Sequence, residues 1–160
     1  MNIKKQLEAI EEMEAANERN VEEFKRKQEK ILAVYVDVYG KGDVRKVHIH
    51  RDLEEYYRLL KCTTVDMPTR WIGGKPFIVI CDDEGLFRAD RRVSALDGHE
   101  VMFVGNLLIV AFDGAEDIRG LTDEEAAHIM KRVGGIGTMD TNGGIQIWQV
   151  LKGVKYRKEG

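Results

Sequence analysis

The first thirty residues contain neither glycine nor proline. They are dense in Glu, Lys, Arg, Gln and Ala, all of which helices accept readily. The block predicts one long helix, about 45 Å from end to end at 1.5 Å per residue. Read at alternating spacings of four and three, one stripe runs Ile3, Leu7, Ile10, Glu14, Asn17, Val21, Phe24, Gln28 and Ile31, and six of these nine positions are apolar. The ends of the stripe are apolar and its middle is polar. Such a helix either lies across its own domain or buries the stripe on a second helix. A polar residue such as Asn17 at a core position sets register and strand number in coiled coils. The helix is longer than a small domain is wide. The expectation is therefore assembly through Ile3, Leu7, Ile10, Val21 and Phe24, either as a homo-oligomer or on a partner.

The remainder reads as an α+β unit: a small, mostly antiparallel sheet with two short helices behind the long N-terminal one. Residues 31–39 alternate, with Leu32, Val34, Val36 and Val38 on one face, which predicts a strand with one buried side. Gly40 to Asp43 turns the chain, and residues 44–50 return as a second strand. Residues 52–60 predict a short helix with Leu53, Tyr56, Tyr57 and Leu60 on one side. Residues 77–81 predict a strand that ends in the acidic turn Asp82-Asp83-Glu84-Gly85. Strands at 101–104 and 107–112 flank Gly105-Asn106, a two-residue hairpin signal. Thr122 to Glu125 is a capping box opening a helix that Gly134-Gly135 should stop. Three segments result: an assembly helix over 1–30, a compact domain over 31–133, and a terminal segment over 134–160. That last segment reads as a glycine-rich loop, a further strand near 145–151 and a basic tail.

Composition narrows the function classes. The 160 residues carry 25 Lys and Arg against 28 Asp and Glu, a net charge of -3. A nucleic-acid coat is normally basic, so direct nucleic-acid binding is not expected. No apolar run approaches the roughly 20 residues that cross a bilayer, which argues against a membrane protein. The charged start does not read as a signal segment. Two cysteines, Cys62 and Cys81, are too few for a disulfide scaffold and fit a reducing cytoplasm.

Three segments of the middle of the chain carry a resemblance. They are residues 73–87, residues 104–109, and Phe112-Asp113-Gly114 followed by Leu121-Thr122-Asp123-Glu124-Glu125. Together they resemble an uncharacterised domain family encoded by bacteriophages and mobile elements of gut anaerobes, over about residues 32–133. The resemblance implies a phage or prophage origin and the cytoplasm of a bacterial host. It assigns no catalytic residue. The long N-terminal helix and the stretch after Gly134 depart from the pattern.

The candidates for chemistry are thin. His48 and His50 share one face of a strand and are weak zinc candidates, since no CxxC or HExxH accompanies them. Cys81 ends an apolar strand and reads as a core residue, with three acids after it to disfavour a thiolate. Asp82, Asp83 and Glu84 offer carboxylates to a cation or a basic partner, but lack calcium-loop spacing. Arg88, Arg91 and Arg92 can hold phosphate or carboxylate, beside Trp71 if the loops fold together. The cluster at 134–138 lacks a Walker lysine and follows a helix. The leading expectation is a non-enzymatic, cofactor-free binding protein that inhibits or redirects a host protein, with anti-defence activity, for example against a CRISPR nuclease, as its concrete form. The alternatives are a small-ligand or nucleotide-signal sponge using Arg88, Arg91, Arg92 and the glycine-rich loop after Gly134, and a metal-assisted enzyme at His48 and His50.

Overall fold

A computed structural model describes residues 2–114 and 117–158, with residues 23–28 described by their backbone alone. Helix α1 spans Ile3–Gln28. Strands β1 (Lys30–Asp37) and β2 (Asp43–His50) form the expected hairpin, with Lys30 opposite His50 and Asp37 opposite Asp43. Helix α2 (Leu53–Leu60) follows, then β3 (Val65–Asp66), β4 (Thr69–Ile72) and β5 (Lys75–Asp82). A 3-10 turn at Gly85–Phe87 leads to β6 (Val93–Asp97), β7 (Glu100–Val104), β8 (Leu107–Phe112) and β9 (Ile118–Arg119). Helix α3 (Asp123–Met130) and strands β10 (Val133–Met139), β11 (Ile145–Lys152) and β12 (Val154–Lys155) complete the chain.

The architecture is α+β and mostly antiparallel, as the sequence predicts, but the strands are divided between two sheets. The larger runs β12-β4-β5-β8-β1-β2, with β3 on β5 and β9 on β8; the smaller runs β10-β11-β6-β7. The pairing of β11 with β6 is parallel. One face of the larger sheet, with Val34, Val36, Phe77, Val79 and Ile109, shares a core with α3 and the smaller sheet. The other, with Ala33, Tyr35, Ile78, Ile80 and Leu108, is covered by Tyr56 and Leu60 of α2. Strand β1 is therefore buried on both sides and not on one. Its alternate set, Ala33 and Tyr35, is apolar enough to take a helix.

Local signals explain several boundaries. Asp52 caps α2 by accepting from the Glu55 N–H, and Thr122 and Glu125 close the capping box of α3. Ile72 pairs with Lys75 across Gly73-Gly74, both at positive φ, the mirror-image turn that suits a two-residue hairpin.

Two expectations are corrected. Residues 101–104 and 107–112 do not form a hairpin. β7 pairs with β6 in the smaller sheet, while β8 enters the larger sheet between β5 and β1. The intervening Asn106 is fully buried and its hydrogen bonds hold the crossing, a role that the hairpin signature does not reveal. The glycine-rich stretch is also not a loop throughout. α3 ends at Met130 before the glycines, and residues 133–139 pair in register with β11, from Val133–Leu151 to Met139–Ile145. A full ladder with a good β-former outweighs the weak strand propensity of glycine.

Candidate functional site

The apolar face of α1 is left open to solvent over its described residues. Leu7 is 56% exposed, Ile10 51% and Val21 51%, with Ile3 and Met13 exposed further. Glu14 and Asn17, between them on the stripe, are exposed as well. The Phe24 side chain lies outside the described residues. Tertiary packing supplies most of a helix's stability in a protein, and the described apolar stripe residues of this 26-residue helix receive little of it from their own chain.

A second corner forms where β5 ends. The Asp82 carboxylate is almost fully buried and accepts from the Glu84 N–H at 2.9 Å and from Arg88 Nε at 2.6 Å. The Arg88 guanidinium lies over the Tyr39 ring at 5.4 Å, and the Tyr39 hydroxyl donates to the Asp90 carbonyl at 2.6 Å. An open cleft of about 230 Å³ is lined here by Lys61, Cys62, Asp82, Glu84, Phe87 and Arg88. Phe87 is 89% exposed at its rim, beside the exposed Leu86, Asp83 and Glu84. Burial pushes the Cys81 thiol up to about 12 and also raises that of Cys62. Neither thiol is prepared as a nucleophile.

The three arginines do not gather at Trp71. Arg92 donates to the Val38 carbonyl at 3.1 Å, lies over Trp148 at 5.6 Å and reaches Asp90 at 3.6 Å. Arg91 is exposed and turns to the Leu86 carbonyl. Trp71 faces Pro76 and Lys155 across its two neighbouring strands, and Lys158 approaches its ring at 5.9 Å. The corner thus joins Asp82 to Arg88 and places Arg92 on a different tryptophan from the one expected.

His48 is exposed on β2, opposite Leu32. His50 is half-buried, with Nδ1 3.9 Å from Glu55 Oε2. Among the described residues no three His, Cys, Asp or Glu side chains stand together as a metal would need.

Two features were not anticipated. Asp37 is buried and accepts from the Gly40 and Lys41 N–H groups, from Arg45 and from Asn106. Burial raises its pKa, but these hydrogen bonds win and hold it below the usual carboxylate range. Burial, then the neighbouring Asp37 charge, pushes the adjoining Tyr35 hydroxyl up to about 12. A lone acid in an apolar strand was the available signal. The second feature is the outer half of the β10–β11 hairpin, where Met139, Ile145 and Ile147 are all at least 70% exposed. Met139 sits opposite Ile145, and Ile147 lies two residues further on, so the three share one face. Reading the glycine stretch as a loop concealed that alignment.

No described helix is long and apolar enough to cross a membrane. No curated protein and no solved structure matches the chain. A family model does match, beginning at the first residue of β1 and ending inside β10; over residues 30–134 the chain belongs to the family described as a domain of unknown function, DUF3846.

Proposed function

We propose that this protein works by binding and not by catalysis, holding a bacterial host factor in an inhibited or redirected state. The observation that carries the reading is the exposed stripe of α1, where Leu7, Ile10, Met13 and Val21 are open to solvent: a helix so exposed assembles, with a second copy or with the target itself, and binding depends on that assembly. That helix lies outside the family domain, as an added binding element would. The raised thiols of Cys62 and Cys81 support the non-catalytic side of the reading. The resemblance to phage and mobile-element domains supplies the setting, with a defence nuclease as the concrete target.

The test is affinity capture from host lysate by the full chain and by a Leu7→Lys, Ile10→Lys variant. One host protein should be recovered in stoichiometric amount by the full chain and much less by the variant, and its activity should change when the full chain is added. Equal recovery by both chains, or turnover of a substrate by the purified protein, overturns the proposal.

A further inference from the structure

We infer that the stripe of α1 is covered by α1 of a second copy, running antiparallel. This deepens the binding reading, on which it rests, by naming what sits on the helix and leaving the rest of each protomer free to face a target.

The argument comes from the order of residues along the stripe. Read forwards from Ile3 it runs three apolar, two polar, two apolar, one polar; read backwards from Gln28 it is almost the same. An antiparallel pair can therefore place Ile10 against Val21 of the second copy and Leu7 against its position 24, a phenylalanine in the sequence. Both pairings occur twice by symmetry. The polar middle then meets itself, with Glu14 against Asn17 of the second copy, an acceptor facing an amide donor. The alternative parallel, in-register pair sets Glu14 against Glu14. Two like charges in a desolvated seam are costly, and neither can satisfy the other. The one charged core position thus selects the orientation. Exposure agrees: Leu7, Ile10, Glu14, Asn17 and Val21 are all open within one protomer, so no described residue of its own chain has to move aside.

The test uses the full chain. Light scattering should give the mass of two chains, falling to one in the Leu7→Lys, Ile10→Lys variant while near-ultraviolet circular dichroism of the body stays unchanged. Orientation is read by disulfide trapping with Cys62→Ser and Cys81→Ala in the background. A mixture of Ile10→Cys and Val21→Cys chains should cross-link strongly. Ile10→Cys alone should not, because antiparallel pairing holds the two copies of position 10 about 16 Å apart along the axis. A monomer, a dimer that survives the lysine substitutions, or cross-linking of Ile10→Cys with itself overturns the inference. A monomer that still captures a host protein sinks only the self-pairing. An antiparallel dimer that captures nothing and alters no activity sinks only the host-binding proposal.

Discussion

The side-chain amide of Asn106 donates to the hydroxyl of Tyr35 at 3.0 Å, and that hydroxyl donates onward to the Leu59 carbonyl at 2.6 Å. Two residues distant in sequence thereby tie the start of β8, the centre of β1 and the end of α2. Asn106 Nδ2 also reaches the Leu59 carbonyl at 3.0 Å, and its Oδ1 accepts from the Tyr39 N–H at 3.0 Å. The site where the chain changes sheets is a satisfied polar network inside an apolar layer. It holds the hairpin end that carries Tyr39, and Tyr39 in turn carries Arg88 of the acidic corner.

Replacing Asn106 by leucine should therefore destabilise the fold more than a surface change does. The volume is kept, but the Tyr39 N–H loses its acceptor, and an orphaned buried group costs about 1–3 kcal/mol. Tyr35→Phe leaves the Arg45 stacking over the ring and should cost less, about 1 kcal/mol. Urea denaturation of both variants reads the order directly, and an Asn106→Leu midpoint equal to that of the parent would show the network to be dispensable.

Acid should reach the protein partly through Glu125. Its carboxylate is held bidentately by Arg119 at 2.8 and 3.2 Å and accepts from the Thr122 N–H at 2.9 Å. The Arg119 hydrogen bonds come first in drawing its pKa from 4.5 down to about 2, against the opposing effect of burial. A depressed folded pKa means stability that is present above the unfolded value and lost as pH falls. The stability difference between the parent and Glu125→Gln should hold above 4.5 and shrink from there down to about 2. A difference that stays flat across that window would remove Glu125 from the acid response.

Much of the fold is legible in the residues, and the failures have a common cause. The β1–β2 hairpin, the two capped helices and the β5 strand follow from alternation and capping chemistry, which act within a few residues. The Gly105-Asn106 crossing and the β10 strand do not, because each is decided by a partner remote in sequence. Asn106 looks like a turn residue until Tyr35 and Leu59 are placed around it. Gly134 and Gly135 look like loop residues until β11 supplies the ladder. The stripe of α1 was readable because helix periodicity is local, and the acidic run at 82–84 likewise. That Asp82 is already held by Arg88 was not, since a loop brings the arginine back.

The cysteines should be slow to react in the folded protein. Burial lifts Cys81 to about 12 and raises Cys62, so little thiolate is available near neutrality. Iodoacetamide should label the half-buried Cys62 slowly and Cys81 only on unfolding, with both reacting quickly in urea. Rapid native labelling of Cys81, followed by peptide mass spectrometry, would contradict the burial that places it in the core shared by the two sheets.

Gly120 joins β9 to the cap of α3 at a point where the chain presses against the central strand. A methyl group there would lie 2.9 Å from the Ile31 Cβ and 3.1 Å from the Leu32 backbone nitrogen, while the adjacent Leu121 N–H donates to the Leu32 carbonyl at 2.8 Å. Ile31 and Leu32 are held by pairing with β2, and β8 grips the same strand from Val34 to Val36, so β1 has little room to recede. Gly120→Ala should therefore cost about 1–3 kcal/mol, the range for overpacking. Gly135 offers the contrast. Its nearest neighbour to an added Cβ is the Trp148 carbonyl oxygen at 4.0 Å, with no left-handed backbone to strain. Gly135→Ala should be neutral or stabilise by about 0.4–1 kcal/mol through the unfolded chain. Thermal and urea melts of the two variants should diverge in sign or size, and equal losses would mean that close approach to β1 is not what requires glycine at position 120.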